Sequence, residues 1–286
     1  MMMSTLKYYA TGLMKKFKEG NVPLLAAAQA YYYLLAVFPL LIVCFAIIPY
    51  FNIDAREVVQ FIQSFVPVEV TSMFEESIIR FIETPRGGLL TVGIIGAIWS
   101  ASNGVNAFIK SLSEAYDVEE TRSFIVVRLI AFGLTIGMIL ALIVAILLPV
   151  FGNIIVEYLG SYSGITNETT LLLQVGRWVV SIIVLSAFLL CLYRFAPNKK
   201  MPFKHIILGA VSASVLWQLL TVGFSFYVSN FGNYSATYGS IGGIIVLMIW
   251  FFLTGIVLMV GALLNVLYHE RQLLEEAVIY KEESAR

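Results

Sequence analysis

The residues of this chain that could do chemistry are polar side chains set inside long apolar stretches. Ser100, Asn103 and Asn106 recur at helical spacing after Trp99. In hydrocarbon such hydroxyls and amides find no solvent, so they bond either to neighbouring helices or to a polar ligand. Both alternatives stay open from the sequence. The candidates for lining a polar path are Gln29, Tyr32, Pro39, Ser100, Asn103, Asn106, Arg128, Arg177, Arg194, Gln218, Tyr234, Tyr238 and Asn265.

Two arginines within or near the ends of apolar segments could likewise face either the protein interior or the membrane surface. Arg177 lies several residues inside one apolar segment, and Arg128 lies near the end of another. A long Arg stem can carry its charge to the membrane surface, or the guanidinium can face the helix bundle. The surface position is favoured for Arg128. Arg177 has both alternatives open, the interior one bringing it towards an anionic headgroup or Glu157.

Catalytic arrangements are missing from the sequence. His205 and His269 have no acidic partner at metal-ligand spacing. No Ser/His/Asp set, phosphate loop or dinucleotide fingerprint occurs. We therefore expect no enzyme activity, no metal and no cofactor. The carboxylates cluster in loops rather than deep in an apolar segment, which also argues against a proton-coupled transporter.

Six apolar segments must position these side chains. The chain of 286 residues is 59% hydrophobic and 13% charged, and its mean hydropathy is +0.88. A bilayer core of about 30 Å needs roughly 20 apolar helical residues, so each segment is long enough to span it. The sequence predicts an all-α polytopic membrane protein with six transmembrane helices, at about 24–51, 89–108, 124–151, 171–195, 206–229 and 239–267.

Lysine and arginine are distributed unequally about these segments. Fourteen of the 18 fall on the side that holds both termini, and four fall on the other side. Basic residues concentrate on the cytoplasmic side of membrane proteins, so both termini are predicted to be cytoplasmic. The formal net charge is zero, and we expect no nucleic-acid partner.

Three further segments complete the predicted architecture. Residues 1–22 carry lysines around apolar positions at helical spacing, which indicates a basic amphipathic helix on the inner membrane surface or, alternatively, a solvated tail. Residues 52–88 contain two capping-box spacings and predict two short outer amphipathic helices. Residues 269–286 are a charged cytoplasmic tail, which leaves 23–268 as the transmembrane domain.

Glycine and proline mark special points in the spans. Gly133-x-x-x-Gly137 and Gly239-x-x-x-Gly243 permit helices to approach closely within the bundle. Pro39 stands in the middle of the first span, where it removes a backbone hydrogen bond and predicts a kink.

Several short motifs, taken in order, resemble one known family. They are Ala28-Gln29-Ala30-Tyr31-Tyr32, Phe38-Pro39-Leu40, Trp99-Ser100-Ala101-Ser102, Arg122-Ser123-Phe124, Tyr193-Arg194-Phe195-Ala196-Pro197-Asn198, Gly209-Ala210 with Trp217, Tyr234-Ser235-Ala236-Thr237-Tyr238-Gly239-Ser240, and Gly261-Ala262 with Asn265. Their order and spacing are similar to those of the YihY/BrkB family of bacterial inner-membrane proteins, over nearly the whole chain. The resemblance implies a six-helix protein of the bacterial cytoplasmic membrane, linked to virulence and surface properties.

Two departures from the family pattern put family side-chain roles in doubt here. Many members resemble Gly-Ala-Glu in the last span, where this chain has Leu263. Many also have an Asn in the motif that closes the second span, where this chain has Lys110-Ser111-Leu112-Ser113. The family has carried a ribonuclease label. We reject that label because the sequence offers neither metal ligands nor a basic nucleic-acid stripe.

The functional expectation is movement or exchange of a lipid or other amphiphile, with no ATP hydrolysis by the chain itself. The partners expected are membrane lipids and, in the alternative, a protein of envelope assembly held by a non-transporting scaffold. A third alternative is a small-ion or solute exporter. The turn at Tyr234–Ser240 fits either a re-entrant cavity lining or an ordinary aromatic interface turn, which is favoured.

Overall fold

The structure is a computed structural model of the chain, and it describes residues 2–47, 79, 87–140, 167–199, 201–231 and 241–284. All the regular secondary structure of these residues is α-helical, which confirms the predicted all-α class. The helices described are α1 (Met2–Glu19), α2 (Val22–Ile47), α3 (Gly87–Ala115), α4 (Phe124–Leu140), α5 (Asn167–Phe195), α6 (Phe203–Phe231) and α7 (Ile241–Ser284).

Five of these helices are long and apolar enough to cross a membrane: α2, α3, α5, α6 and α7. Helix α4 is shorter over its described residues and forms the start of the predicted third span, whose remainder lies outside the described residues. The predicted polytopic membrane protein is thus confirmed, and the count of six spans stays a prediction. Most of the predicted outer segment at 52–88 also lies outside the described residues.

The chain divides into two compact units. The larger unit comprises Met1–Tyr31 and Val105–Arg286, and the smaller comprises Tyr32–Gly104. The core of the larger unit is made by apolar side chains from α2 to α7. Its largest fully buried members are Tyr116, Tyr193, Phe108, Ile109, Leu112, Leu189, Met201, Ile206, Met259 and Leu263. These side chains are shielded from the surroundings inside the bundle. Other faces of the same helices expose Leu, Ile, Val and Phe, which suit contact with lipid.

Helix α6 is central to the larger unit, since it packs along both α5 and α7. Helix α1 packs against α7. Its Leu13 and Phe17 lie against the core of the larger unit, whereas Lys7, Lys15 and Lys18 are exposed. The apolar face of α1 is therefore turned to the protein, and its basic face is the one left free.

In the smaller unit α2 and α3 pack against each other with opposite chain directions. A Cβ at Gly104 would lie 2.9 Å from Cδ1 of Tyr33, and a Cβ at Gly96 would lie 3.7 Å from Cβ of Pro39. Only a glycine fits beside the Tyr33 ring at the first of these positions. Helix α2 continues as a helix through Pro39.

Candidate functional site

The exposed face of α3 changes character along the helix. Val92 and Ile95 are 68% and 63% exposed, and Trp99 follows at 54%. Asn103 and Asn106 come next at helical spacing and are half-buried. Lys110 is the last residue of this face and is exposed. One face of a single membrane helix therefore passes from aliphatic side chains to an indole, then to amides and a cation.

Asn106 is the amide on this face whose bonding is incomplete. Its Oδ1 atom is enclosed and has no hydrogen-bond partner within the part of the chain that the structure describes. An enclosed amide oxygen without a donor costs about 1–3 kcal/mol, so a donor from a ligand or water is favoured at this point.

On α2, Gln29 is fully buried in the stripe that also buries Val22, Ala26 and Ala30. This stripe lies against α7, where a Cβ at Gly255 would come 3.1 Å from Cα of Ala26. The structure thus places Gln29 on the face of α2 that packs against α7.

Asn265 holds α6 and α7 together at their closest approach. Its Oδ1 accepts a hydrogen bond of 2.8 Å from the backbone N–H of Gly209. A Cβ at Gly209 would overlap the carbonyl oxygen of Gly261. Tyr193 of α5 closes the same junction, since its hydroxyl donates a 2.7 Å hydrogen bond to Leu258 O and touches Gly261.

The other half of the Asn265 amide faces Tyr116, in the turn after α3. The Tyr116 hydroxyl lies close to the Asn265 side chain, yet neither this hydroxyl nor Asn265 Nδ2 has a hydrogen bond of regular geometry within the described residues. Burial raises the pKa of Tyr116, so the phenol stays neutral. A small shift would let the amide donate to the phenol oxygen, and we regard the two groups as a loose pair.

The larger unit has a basic end, formed by residues 116–123, 196–199, 201 and 202 together with α1 and the part of α7 around Glu270. Arg122, in the segment that precedes α4, bonds across to the segment that follows α5. The guanidinium donates to the carbonyl of Ala196 at 2.7 Å and, more weakly, to that of Phe195 at 3.4 Å. Because these carbonyls end α5, Arg122 satisfies acceptors that a helix end leaves free.

Other contacts reinforce this connection. Glu120 pairs with Arg122 through a 2.7 Å bond from Nε, and the Arg122 guanidinium holds the pKa of Glu120 below its ordinary value. Asn198 reaches back to the same turn, where its Nδ2 donates to Thr121 Oγ1 at 2.7 Å. The basic end is therefore an ordered polar network.

Arg194 and Arg128 also take positions near this end. Arg194 donates a 2.8 Å hydrogen bond to the carbonyl of Met201, and its guanidinium lies 5.2 Å from the centroid of the Phe203 ring. The Arg128 guanidinium lies over Phe132, 5.4 Å from the ring centroid. Arg194 is thus engaged in holding the segment that leads into α6.

Helix α1 is fixed to α7 at the same end. Lys16 forms a 2.8 Å ion pair with Glu270, and the Tyr8 hydroxyl lies 3.5 Å from Leu267 O. Near the start of α6, the imidazole of His205 meets that of His269 on α7, with their Nδ1 atoms 2.7 Å apart. The described residues contain no group of three or more His, Cys, Asp or Glu side chains arranged to hold a metal ion.

The predicted path residues are only partly brought together. Asn106, Arg194, Gln29 and Asn265 belong to the larger unit, and their surroundings are those given above. Among the others, Arg128 and half-buried Gln218 also belong to the larger unit, while Tyr32, Pro39, Ser100 and Asn103 belong to the smaller. Tyr234 and Tyr238, and the side chain of Arg177, lie outside the described residues. Their roles on a path stay predictions.

The structure adds residues that the candidate set did not include. Tyr193 and Gly209 form contacts that join separate helices, and Arg122 joins the turn before α4 to the end of α5. In the sequence the three residues belong to motifs of the family resemblance and were not candidates for the site. Tyr116 carried no signal in the sequence, because an aromatic residue beside a loop has no distinguishing pattern. The pairing of His205 with His269 was equally invisible.

These observations define the class of protein: a helical, multi-pass membrane protein with a polar network at one end of its bundle. The chain belongs to the BrkB family, since the family model described as "Virulence factor BrkB" matches residues 13–285.

Relatives cover almost the whole chain. The chain is 45% identical over 251 residues to the "Putative ribonuclease-like protein YfkH" of Bacillus subtilis, covering 88% of this chain and 91% of that protein. It is 30% identical over 277 residues to a UPF0761 membrane protein of Photobacterium profundum, covering 92% and 82%. A UPF0761 membrane protein of Haemophilus influenzae is 27% identical over 270 residues, covering 91% and 94%. No solved structure matches the chain.

Proposed function

We propose that this protein moves or exchanges a lipid or other amphiphile across or within the bacterial cytoplasmic membrane, with no ATP hydrolysis of its own. The observation that carries the proposal is the exposed face of α3, where Trp99 is followed by Asn103, Asn106 and Lys110. Acyl chains cannot bond to amides, whereas a lipid headgroup can. An amphiphile moving along this face would keep its tails beside Val92 and Ile95.

The donor missing at Asn106 Oδ1 supports the same proposal. A water beside the enclosed oxygen supplies such a donor. A headgroup hydroxyl or ammonium group supplies it once the half-buried Asn106 side chain turns towards the exposed face. Arg194 contributes less to this proposal than the sequence suggested, because its guanidinium already bonds to Met201 O and covers Phe203.

The name of the Bacillus relative is "Putative ribonuclease-like protein YfkH", and we propose that this chain has no ribonuclease activity. Nucleases need acid–base groups or metal ligands beside a phosphate site. Both histidines of this chain pair with each other instead of with a carboxylate. Nuclease assays of the purified protein, with and without divalent cations, address this directly.

The test of the lipid proposal uses purified full-length protein in liposomes with fluorescent phospholipids. The variant Asn106→Leu keeps a similar volume and removes the amide, while Val92→Leu is a matched control on the aliphatic part of the same face. We expect the wild type to exceed empty liposomes in the rate of headgroup movement. Asn106→Leu should lose at least half of that excess, and Val92→Leu should retain it.

Headgroup movement no faster than in empty liposomes, across several lipid classes, would refute the proposal. Equal rates for Asn106→Leu and Val92→Leu would remove the α3 face as its basis. Correct insertion of each variant is checked by protease protection of the same liposomes.

One observation favours a second candidate, an envelope-assembly scaffold. Helix α7 continues past residue 267, where the predicted span ends, to Ser284, and this part exposes Leu273, Leu274 and Tyr280 at 49%, 61% and 75%. Apolar side chains on a helix outside the membrane mark a contact surface. Absence of lipid movement, together with a stoichiometric partner that Leu274→Glu releases, would favour the scaffold.

A further inference from the structure

The chain has only two histidines, and they meet each other although 64 residues separate them. His205 lies near the start of α6 and His269 lies on α7. Their Nδ1 atoms are 2.7 Å apart, and their ring centroids are 4.9 Å apart. At this distance the two atoms share one hydrogen, since one Nδ1–H donates and the other Nδ1 accepts with its lone pair.

The geometry limits how many protons the pair can hold. One extra proton is accommodated, because it can sit on Nε2 of the donating ring and strengthen the hydrogen bond. A second extra proton places a hydrogen on both facing Nδ1 atoms and leaves two positive charges in contact. The hydrogen bond is then lost and the rings repel each other. Two groups that interact this strongly titrate in two separate steps.

The pair is only partly buried, so protons from water reach it. The edge of the Tyr268 ring packs against His205, with the centroids 5.5 Å apart. The charged groups that act on His269 are Lys199, which follows α5, and Glu270 and Glu276 on α7. Lys204 precedes His205 in α6, Arg271 follows on α7, and Lys16 of α1 reaches this end through Glu270. Lys16 is paired with Glu270, and Arg271 is paired with Glu275.

Other contacts hold α6 and α7 together independently of the histidines. Gly209 and Asn265 join the helices one turn away, and Trp217 packs on Trp250 further along, with centroids 5.9 Å apart. Opening of the histidine contact would therefore release only the start of α6 from the part of α7 around His269. Residues 196–199, 201 and 202 and the α1–α7 contact lie at the same end of the larger unit.

We propose that the His205–His269 pair is a pH-operated latch, which joins the start of α6 to the part of α7 around His269 while it carries at most one extra proton and opens when both rings are protonated. Protonation of both rings requires acid, so the latch is closed at neutral pH and opens under acid conditions. It does not depend on the proposed movement of lipids, and it concerns a different part of the molecule from the α3 face.

Histidine NMR of the full chain in lipid nanodiscs tests the pairing. With only two histidines, selective ¹⁵N labelling yields two assignable rings, and His205→Gln and His269→Gln each leave one. We expect the wild-type pair to titrate in two steps more than one pH unit apart, with the midpoint of each variant between them. Two wild-type rings that titrate at the same pH as in the single variants would overturn the proposal.

Hydrogen–deuterium exchange tests the opening. After correction for the intrinsic effect of pH, residues 203–208 and 266–271 should exchange at least threefold faster at pH 5.5 than at pH 7.5. The region around Trp217 serves as the internal control and should not change. His205→Gln should abolish the difference between the two pH values. No acceleration in the wild type, or the same acceleration in His205→Gln, would contradict the latch.

Discussion

Arg122 shows how one side chain can join two connecting segments. Helix α5 ends at Phe195 with carbonyl groups that have no partner within the helix. Arg122 donates to the carbonyls of Phe195 and Ala196 while its guanidinium remains paired with Glu120. A planar guanidinium with five N–H groups can serve these acceptors together, and the ammonium of lysine cannot match that geometry.

We predict that Arg122→Gln lowers the free energy of unfolding by about 1.5–3 kcal/mol, the range for hydrogen bonds to a charged group. The thermal unfolding midpoint in detergent measures this change. Arg271→Gln is the matched control, because its i,i+4 pair with Glu275 is screened by solvent and adds little to stability. Equal losses for the two variants would contradict the assigned role of Arg122.

The Glu120 carboxylate adds a pH dependence to this contact. Its pKa is lowered from 4.5 by Arg122, so the contribution of the pair is complete above that value and declines as pH falls through the lowered pKa. The difference in stability between wild type and Arg122→Gln should accordingly shrink in strong acid.

Individual residues were predictable from the sequence when their type was out of place in lipid. Gln29 and Asn265 could be recognised in this way, because an amide in an apolar run needs a partner. Which partner it finds could not be predicted, since Gly209 lies 56 residues from Asn265 and has no side chain to signal the contact. The two histidines were noted only for lacking an acidic partner. Their own contact depends on how α6 and α7 pack.

At the scale of helices, the closest packing occurs at glycines that lie outside the two Gly-x-x-x-Gly motifs predicted to allow close approach. A Cβ at Gly133, Gly137 or Gly243 would meet nothing within 4 Å in the described part of the chain. The tight approach lies instead at Gly209 and Gly261. A small-x-x-x-small pattern identifies a surface that permits contact, and the pattern alone does not reveal which surface is used.

We predict that Gly209→Ala separates α6 from α7. The added Cβ would overlap the Gly261 carbonyl and Asn265 Oδ1, so the helices must move apart and the Asn265 hydrogen bond is lost. Overpacking of this kind costs about 1–3 kcal/mol. Gly243→Ala is the matched control in open space and should be neutral or slightly stabilising. Unfolding midpoints of the two variants give the comparison, and an unchanged midpoint for Gly209→Ala would refute it.

Helix positions were predictable because apolarity and helix breakers both leave local signals. The fifth span was predicted at 206–229, and α6 occupies Phe203–Phe231. The sixth was predicted to end at 267, whereas α7 continues to Ser284. The apolar span and the helix end at different residues. Charged residues end the apolar span, but no Gly or Pro follows Gly261 to end the helix.

For the whole molecule, the unequal distribution of Lys and Arg predicts the orientation. Fourteen basic residues are assigned to the side of the termini and four to the other side. The polar network at the basic end fits a location in water, because the ion pairs of Arg122 and Lys16 remain partly exposed.

Reporter fusions test this orientation. A fluorescent protein fused after Arg286 should fluoresce, since it folds in the cytoplasm. Alkaline phosphatase, which needs an oxidising compartment, should be active when fused after Gly160 and inactive when fused after Val118. The two phosphatase fusions are matched controls for each other. The reverse pattern would invert the membrane orientation and place the basic end outside.

The general architecture was predictable, because a bilayer requires helices and imposes their minimum length. All five long apolar helices that the structure describes coincide with predicted spans. The contacts between helices were not predictable in the same way. Apolar surfaces in lipid gain little from burial, so packing is decided by small steric and polar details from distant parts of the sequence.

Helix α7 has a mechanical consequence that follows from its length. Its 44 residues correspond to about 66 Å, roughly twice the thickness of the hydrocarbon layer. No break in this helix separates its apolar span from its C-terminal part. Because the helix is continuous from Gly261 to Tyr280, we expect a displacement of its C-terminal part to be carried to the part that packs against α6.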